Sequence, residues 1–256
     1  MSYKNIIYKV SDGIAEVVLN RPEKMNSLDE ILISELTELF SSISNDKEIK
    51  SVIISGAGGN FCSGLYLDYL QKISLYDINE NKADSQKFKN MLLSIYNCSK
   101  PVIAKVSGYA LAGGCGIASA CDFIIANETA KFGYTEVKIG FIPAIVMLFL
   151  MKRVPETHAK DLLLSARIIS SDEAYEIGLI NKIVLKEDLD NEVNELCALI
   201  AKNSPASIAL TKEMFKNVSE MTFENGLNYA CDLNAQTRMT EEFKAGIAKF
   251  LNREKK

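Results

Sequence analysis

Histidine occurs once in the 256-residue chain, as His158, and that scarcity closes off several chemistries. Ser-His-Asp or Cys-His machinery would rest on a single base in Pro155-Glu156-Thr157-His158, at an expected helix start, where a surface or capping role is the simpler reading. The six cysteines (Cys62, Cys98, Cys115, Cys121, Cys197, Cys231) form no CxxC pair and lack the density of a small stapled domain, so they read as reduced, mostly buried thiols. With no HExxH and no four-ligand Cys/His set, a metal enzyme is not expected. GxxxxGK[ST] is missing too. Gly56-Ala57-Gly58 lacks the third glycine of a dinucleotide fingerprint, and Gly114-Cys115-Gly116 leads to Ser119 instead of Gly or Ala, which leaves a nucleotide-binding domain as an alternative only. Basic residues are no more numerous than acidic ones, 29 Lys and Arg against 33 Asp and Glu for a net charge of -4, so there is no electrostatic footprint for nucleic acid. Membrane spans are not expected either. The apolar run Ile139 to Met151 is thirteen residues, short of the about 20 needed, and is broken by Gly140 and Pro143; it reads as a buried loop and helix. Met1 to Leu19 alternates charged and apolar residues without a continuous apolar core, so no secretory signal is read and a cytoplasmic setting is the expectation.

What is present is an ordinary globular composition, 48% hydrophobic and 24% charged, in a length that suits one large domain or a domain with a small appendage. Residues Ile6 to Leu19 alternate like a hairpin turning at Asp12-Gly13. Ser27 with Glu30 has the spacing of a capping box, and Leu28, Leu32, Leu36, Leu39 and Ile43 follow at helical steps. Ser51 to Gly56 reads as a strand leading to a glycine-rich loop, with Leu65 to Ile73 helical beyond it. The polar stretch Ser74 to Asp84 has no periodicity and reads as a flexible loop before a helix at Phe88, Leu92 and Ile95. Pro101 to Val106 is a second buried strand, and Ala112-Gly113-Gly114-Cys115-Gly116 opens a helix. Strands at Phe123 to Ala126, Ala130 to Phe132 and Leu179 to Val184 complete an alternating α/β pattern. Beyond about residue 190 only helices are expected. Their apolar faces, with Phe215, Phe223, Phe243 and Phe250, call for self-association.

Two glycine-rich loops thus stand between a strand and a helix, where free backbone N–H groups can point at an anion. On spacing alone the glycines make tight turns, and a shared cradle for one oxygen is the alternative. The loops read Asn60-Phe61-Cys62-Ser63-Gly64 and Gly108-Tyr109-Ala110-Leu111-Ala112-Gly113-Gly114-Cys115, with Cys121-Asp122 and Phe132-Gly133-Tyr134-Thr135-Glu136 beyond them. Together with Asn20-Arg21-Pro22, Asn26-Ser27-Leu28 and the Ala174 to Gly178 stretch, they resemble the crotonase superfamily, the enoyl-CoA hydratase/isomerase group, across nearly the whole chain.

That resemblance implies an α/β fold with a spiral core of repeated ββα turns over residues 1–190 and a helical trimerisation region over residues 191–256, assembled as a homotrimer or hexamer. It implies an acyl-CoA thioester as the small-molecule partner, with coenzyme A entering as part of the substrate and no separate cofactor. The thioester oxygen would be held by the backbone N–H groups of Leu65 and Gly113, with an enolate forming in the reaction. Met25 and Ser27 match positions on the adenosine side, and Phe250 and Arg253 match positions that reach CoA from a neighbouring subunit. Glu136 matches the second of the two glutamates that hydratases of the group use, but Gly116 stands where the first belongs. One carboxylate fits isomerisation of the double bond ahead of hydration, or of decarboxylation of a β-carboxy thioester; a binding module whose chemistry has decayed is the other alternative. Tyr66 replaces a common aspartate, and Pro143-Ala144-Ile145-Val146 replaces a glycine-rich stretch, with bulk at Ile145 and Val146 that would narrow an acyl pocket or simply pack the core.

Overall fold

The computed structural model describes residues 3–253. Strands β1 (Ile6–Ser11) and β2 (Ile14–Leu19) pair antiparallel around Asp12 and Gly13. Both turn residues have positive φ, 52° and 79°, the conformation that matches a two-residue turn to the twist of its strands. Beside β2 lie β3 (Ser51–Gly56), β4 (Val102–Val106), β6 (Phe123–Asn127) and β9 (Lys182–Val184), all parallel, in the order β1-β2-β3-β4-β6-β9. The runs Val52-Ile53-Ile54 and Val102-Ile103-Ala104 are buried on both faces, as the uninterrupted apolar sequence of parallel strands requires. A second sheet holds β5 (Tyr109–Leu111), β7 (Lys131–Gly133) and β8 (Ile168–Ser170), and an isolated parallel bridge from Cys62 to Ala110 extends it.

Helix α1 (Glu30–Asn45) buries Leu32, Ile33, Leu36, Leu39, Phe40 and Ile43, the face read from the sequence. Its cap is Asp29, whose carboxylate accepts from the Leu32 amide at 2.9 Å, and not the expected Ser27. Ser27 is unavailable because residues on either side of it are tied elsewhere, Leu28 donating to the Gly64 carbonyl at 2.7 Å. Leu65 and Tyr66 are extended, so the next helix, α2, starts only at Leu67 and runs to Ile73.

The stretch read as a flexible loop is largely helical. Helix α3 spans Ile78–Tyr96, with Asp77 and Glu80 forming a reciprocal capping box. Its first turns are polar and mostly exposed, which removes the apolar period that marks a buried helix. Helix α4 (Gly113–Ala120) follows β5 and is buried throughout. Ile139 to Met151 is less buried than expected: Ile139 and Ile142 are 64% and 67% exposed, and only α5 (Ala144–Leu150) turns Val146, Phe149 and Leu150 inward. Helices α6 (Glu156–Ser165) and α7 (Ser171–Glu176) precede β9.

Helix α8 (Leu189–Ile200) buries Leu189, Val193, Cys197 and Ile200 and packs on β3, β4 and β6. It therefore belongs to the first compact unit, residues 1–200, and the division falls after Ile200 instead of near 190. The second unit, residues 201–256, consists of α9 (Pro205–Val218), α10 (Phe223–Arg238) and α11 (Glu241–Arg253), with Ser204 and Thr222 capping the first two as their sequences indicate. Neither α9 nor α10 has a buried residue.

Candidate active site

The second sheet sets three short segments in register. Cys62 lies beside Ala110, and Ala110 beside Phe132. Each segment then leaves the sheet in the same direction, reaching Leu65, Gly113 and the Thr135-Glu136 pair a few residues later. Leu65, Gly113 and Glu136 consequently line one cavity of about 460 Å³.

Close backbone packing holds the two loops together. A Cβ on Gly64 would stand 2.8 Å from the Ala112 Cβ and 3.3 Å from the Gly113 nitrogen, and one on Gly114 would stand 2.1 Å from the Cys62 carbonyl oxygen. Leu28 bridges the first loop through the Gly64 carbonyl and the Tyr66 amide, so the Leu65 N–H, on the opposite edge of this extended segment, faces away from Leu28. Among the described residues neither the Leu65 nor the Gly113 amide finds an acceptor. Gly113 is the first residue of α4, where the N–H groups lack intrahelical partners. Ala112, immediately before it, has φ 48° and ψ -121°, a conformation that costs an alanine about 1 to 3 kcal/mol and persists where the surroundings enforce it. Here the Ala112 amide is held by the Gly133 carbonyl at 2.7 Å.

Glu136 opens a short 3-10 turn, Glu136–Ile139, and is 8% exposed. Its Oε2 is buried without a hydrogen-bond partner. Burial pushes its carboxyl above the ordinary 4.5, and its own backbone N–H is the one group drawing it back. Two residues earlier the fully buried Tyr134 shares a hydrogen bond with Ser119 of α4 at 2.9 Å, tying the glutamate segment to the helix that carries Gly113. The remaining wall is mostly apolar, with Leu70, Ile73, Phe88, Ile142 and Val146 prominent. Asn81, Asp84 and Ser85 interrupt it along α3, and Asp84 accepts a hydrogen bond from Tyr69.

Position 116 offers nothing polar. A Cβ on Gly116 would lie 2.4 Å from Val146 Cγ1, and Val146, not Gly116, lines the cavity. A glycine inside a helix costs about 1 kcal/mol relative to alanine, so its presence at this buried contact reflects the close approach of α5.

Met25 and Ser27 are not part of the cavity lining. They support the first loop instead: the Met25 carbonyl accepts from the Ser63 amide at 3.1 Å, and the Ser27 hydroxyl is buried. Phe250 is exposed on α11 in the second unit, and the Arg253 side chain lies outside the described residues. Tyr66 is half-buried, with Lys24 Nζ 4.2 Å from its ring centre and the Arg21 guanidinium 5.4 Å away. The wall along α3 escaped the sequence reading, although the Asp77-Glu80 spacing carried its signal. Ala112 had no signal, because alanine gives no hint of a positive φ.

None of the six cysteines forms a disulfide, and Cys231 alone is exposed. No group of three or more His, Cys, Asp or Glu among the described residues is arranged to hold a metal ion, and no helix among them is long and apolar enough to cross a membrane.

The enoyl-CoA hydratase/isomerase sequence family matches residues 9–256. A crotonyl-CoA hydratase of Syntrophomonas wolfei is 32% identical over 100% of this chain and 98% of its own length. A short-chain-enoyl-CoA hydratase of Clostridium acetobutylicum is 31% identical, covering 100% of this chain and 97% of that one. Among solved structures, an enoyl-CoA hydratase from Mycobacterium smegmatis superposes with a TM-score of 0.93 at 25% identity, covering 98% of this chain and 97% of that one. One from Bacillus anthracis superposes at 0.91 with 28% identity, covering 98% and 97%. Sequence and fold agree over almost the full length, and the chain belongs to the enoyl-CoA hydratase/isomerase family of the crotonase superfamily, whose members act on acyl-CoA thioesters.

Proposed function

We propose that the chain moves the double bond of an enoyl-CoA thioester, with Glu136 as the one proton carrier and the Leu65 and Gly113 amides as the oxyanion hole. The single observation that carries this is the unpaired Oε2 of Glu136 in the cavity that both amides line, with glycine at position 116. The carboxylate takes a proton from C2 of a 3-enoyl thioester. The electron pair moves onto the thioester oxygen, where the two amides hold the negative charge, and the acid returns its proton to C4. The double bond then lies between C2 and C3, and no atom is gained or lost. A preorganised oxyanion donor is worth about 2.7 to 4 kcal/mol. Coenzyme A is part of the substrate in this scheme. Exposed Phe215, Phe223 and Phe250 support association of copies through the second unit.

Hydration is the second reading, favoured by the names of the Syntrophomonas and Clostridium relatives. Incubating the protein with 3-enoyl- and 2-enoyl-CoA in D₂O separates the two. Deuterium at C2 and C4 with formation of the conjugated isomer is expected. A 3-hydroxyacyl-CoA as the dominant product from either substrate refutes the isomerase reading, and CoA-ester binding with neither isomer formation nor exchange at any carbon refutes catalysis altogether.

A further inference from the structure

We infer that Val146 is the residue that closes this site to water addition, because its side chain fills the space a polar group at position 116 would need. The inference rests on the isomerase reading and names the device that enforces it. A Cβ built on Gly116 falls 2.4 Å from Val146 Cγ1 and 3.2 Å from its Cβ, closer than packed atoms approach, with Leu92 Cδ1 at 3.8 Å behind. Val146 is 3% exposed, and as a β-branched residue inside α5 it has one strongly preferred χ1 rotamer, so it does not swing aside. It stands between Gly116 and the cavity, and only Val146 of the two lines it.

Adding water to a 2-enoyl thioester places the water oxygen on C3 and one of its protons on C2. The water has to be held beside C3 while that happens, and an ordered water needs two to four polar partners. Gly116 and Val146 supply none, so this corner of the cavity presents methyl groups where a second carboxylate would hold the nucleophile. Moving a proton from C2 to C4 needs no water and is untouched by the block.

The test compares wild type with Val146→Ala, Gly116→Glu and the double variant, using 2-enoyl- and 3-enoyl-CoA and measuring 3-hydroxyacyl-CoA against isomer by mass spectrometry. Thermal melting accompanies each protein, and Val146→Ala is the conservative change that keeps α5 helical. The ratio of hydration to isomerisation is expected to rise about tenfold or more in the double variant, which has both a carboxylate and the room for it, while Val146→Ala and Gly116→Glu alone each gain little. An unchanged ratio in a folded double variant, or a Gly116→Glu protein that hydrates as well as the double variant, overturns the role of Val146 and leaves the isomerase reading standing. A wild type that mainly hydrates, or that neither exchanges nor isomerises, overturns both.

Discussion

Replacing Glu136 by glutamine pits function against stability, and the structure sets the sign of each. Catalytically the change removes the one proton carrier in the scheme. Loss of a general base typically costs 10² to 10⁴ in rate, about 3 to 5 kcal/mol in the barrier. Thermodynamically it replaces a buried, unpartnered carboxylate by a neutral amide of the same shape, which leaves a polar atom unpaired there but relieves the burial of its charge, a gain of about 1 to 3 kcal/mol. Because Glu136 keeps some access to the cavity, the lower end applies, about 1 kcal/mol, or about 2 to 4 °C in melting temperature for a unit of 150 to 250 residues. The native carboxyl titrates above 4.5. Below 4.5 folded and unfolded chains both hold the proton; between 4.5 and the raised native value only the folded chain does, so this group's contribution to stability falls as pH rises through that window. Glu136→Gln lacks the fall. Melting curves of both proteins at pH 4 and pH 8 should therefore nearly coincide at the lower pH and separate at the higher, with glutamine the more stable. The acid limb of wild-type kcat/KM should also lie above pH 4.5. A variant that is less stable than wild type at pH 8, or that retains full turnover, refutes the reasoning.

Two further substitutions probe the scaffold. Gly64→Ala would place a methyl 2.8 Å from the Ala112 Cβ and 3.1 Å from the Leu111 carbonyl oxygen at a φ of +90°, prising the amide loops apart. A fall in kcat of about 10² to 10³, with KM little changed, is expected from steady-state kinetics. Arg21→Ala would strip the buried guanidinium that pairs with Asp29 at 3.0 Å, holds the Ser27 carbonyl and lies over Tyr66. Urea unfolding should show a loss of about 3 kcal/mol or more, as for other broken buried pairs, and a loss under 1 kcal/mol would show that the pair is not a structural anchor.

What the chain encodes locally is readable from its order alone. The hairpin turn at Asp12-Gly13, the apolar face of α1, the buried strands and the caps at Ser204 and Thr222 each depend on residues a few positions apart. The resemblance carried by the loops around Gly64 and Gly113 pointed to the Leu65 and Gly113 amides and to Glu136, where spacing alone gave only tight turns. Burial and orphaning of that carboxylate were not readable, because they depend on what the tertiary fold places around it. Only the folded structure sets Cys62, Ala110 and Phe132 side by side, forces Ala112 into its strained turn and seats Val146 against Gly116, thirty residues earlier in the chain. Helix and strand periods follow from spacing along the backbone, whereas close approach between distant segments follows from sheet register, which local spacing does not carry.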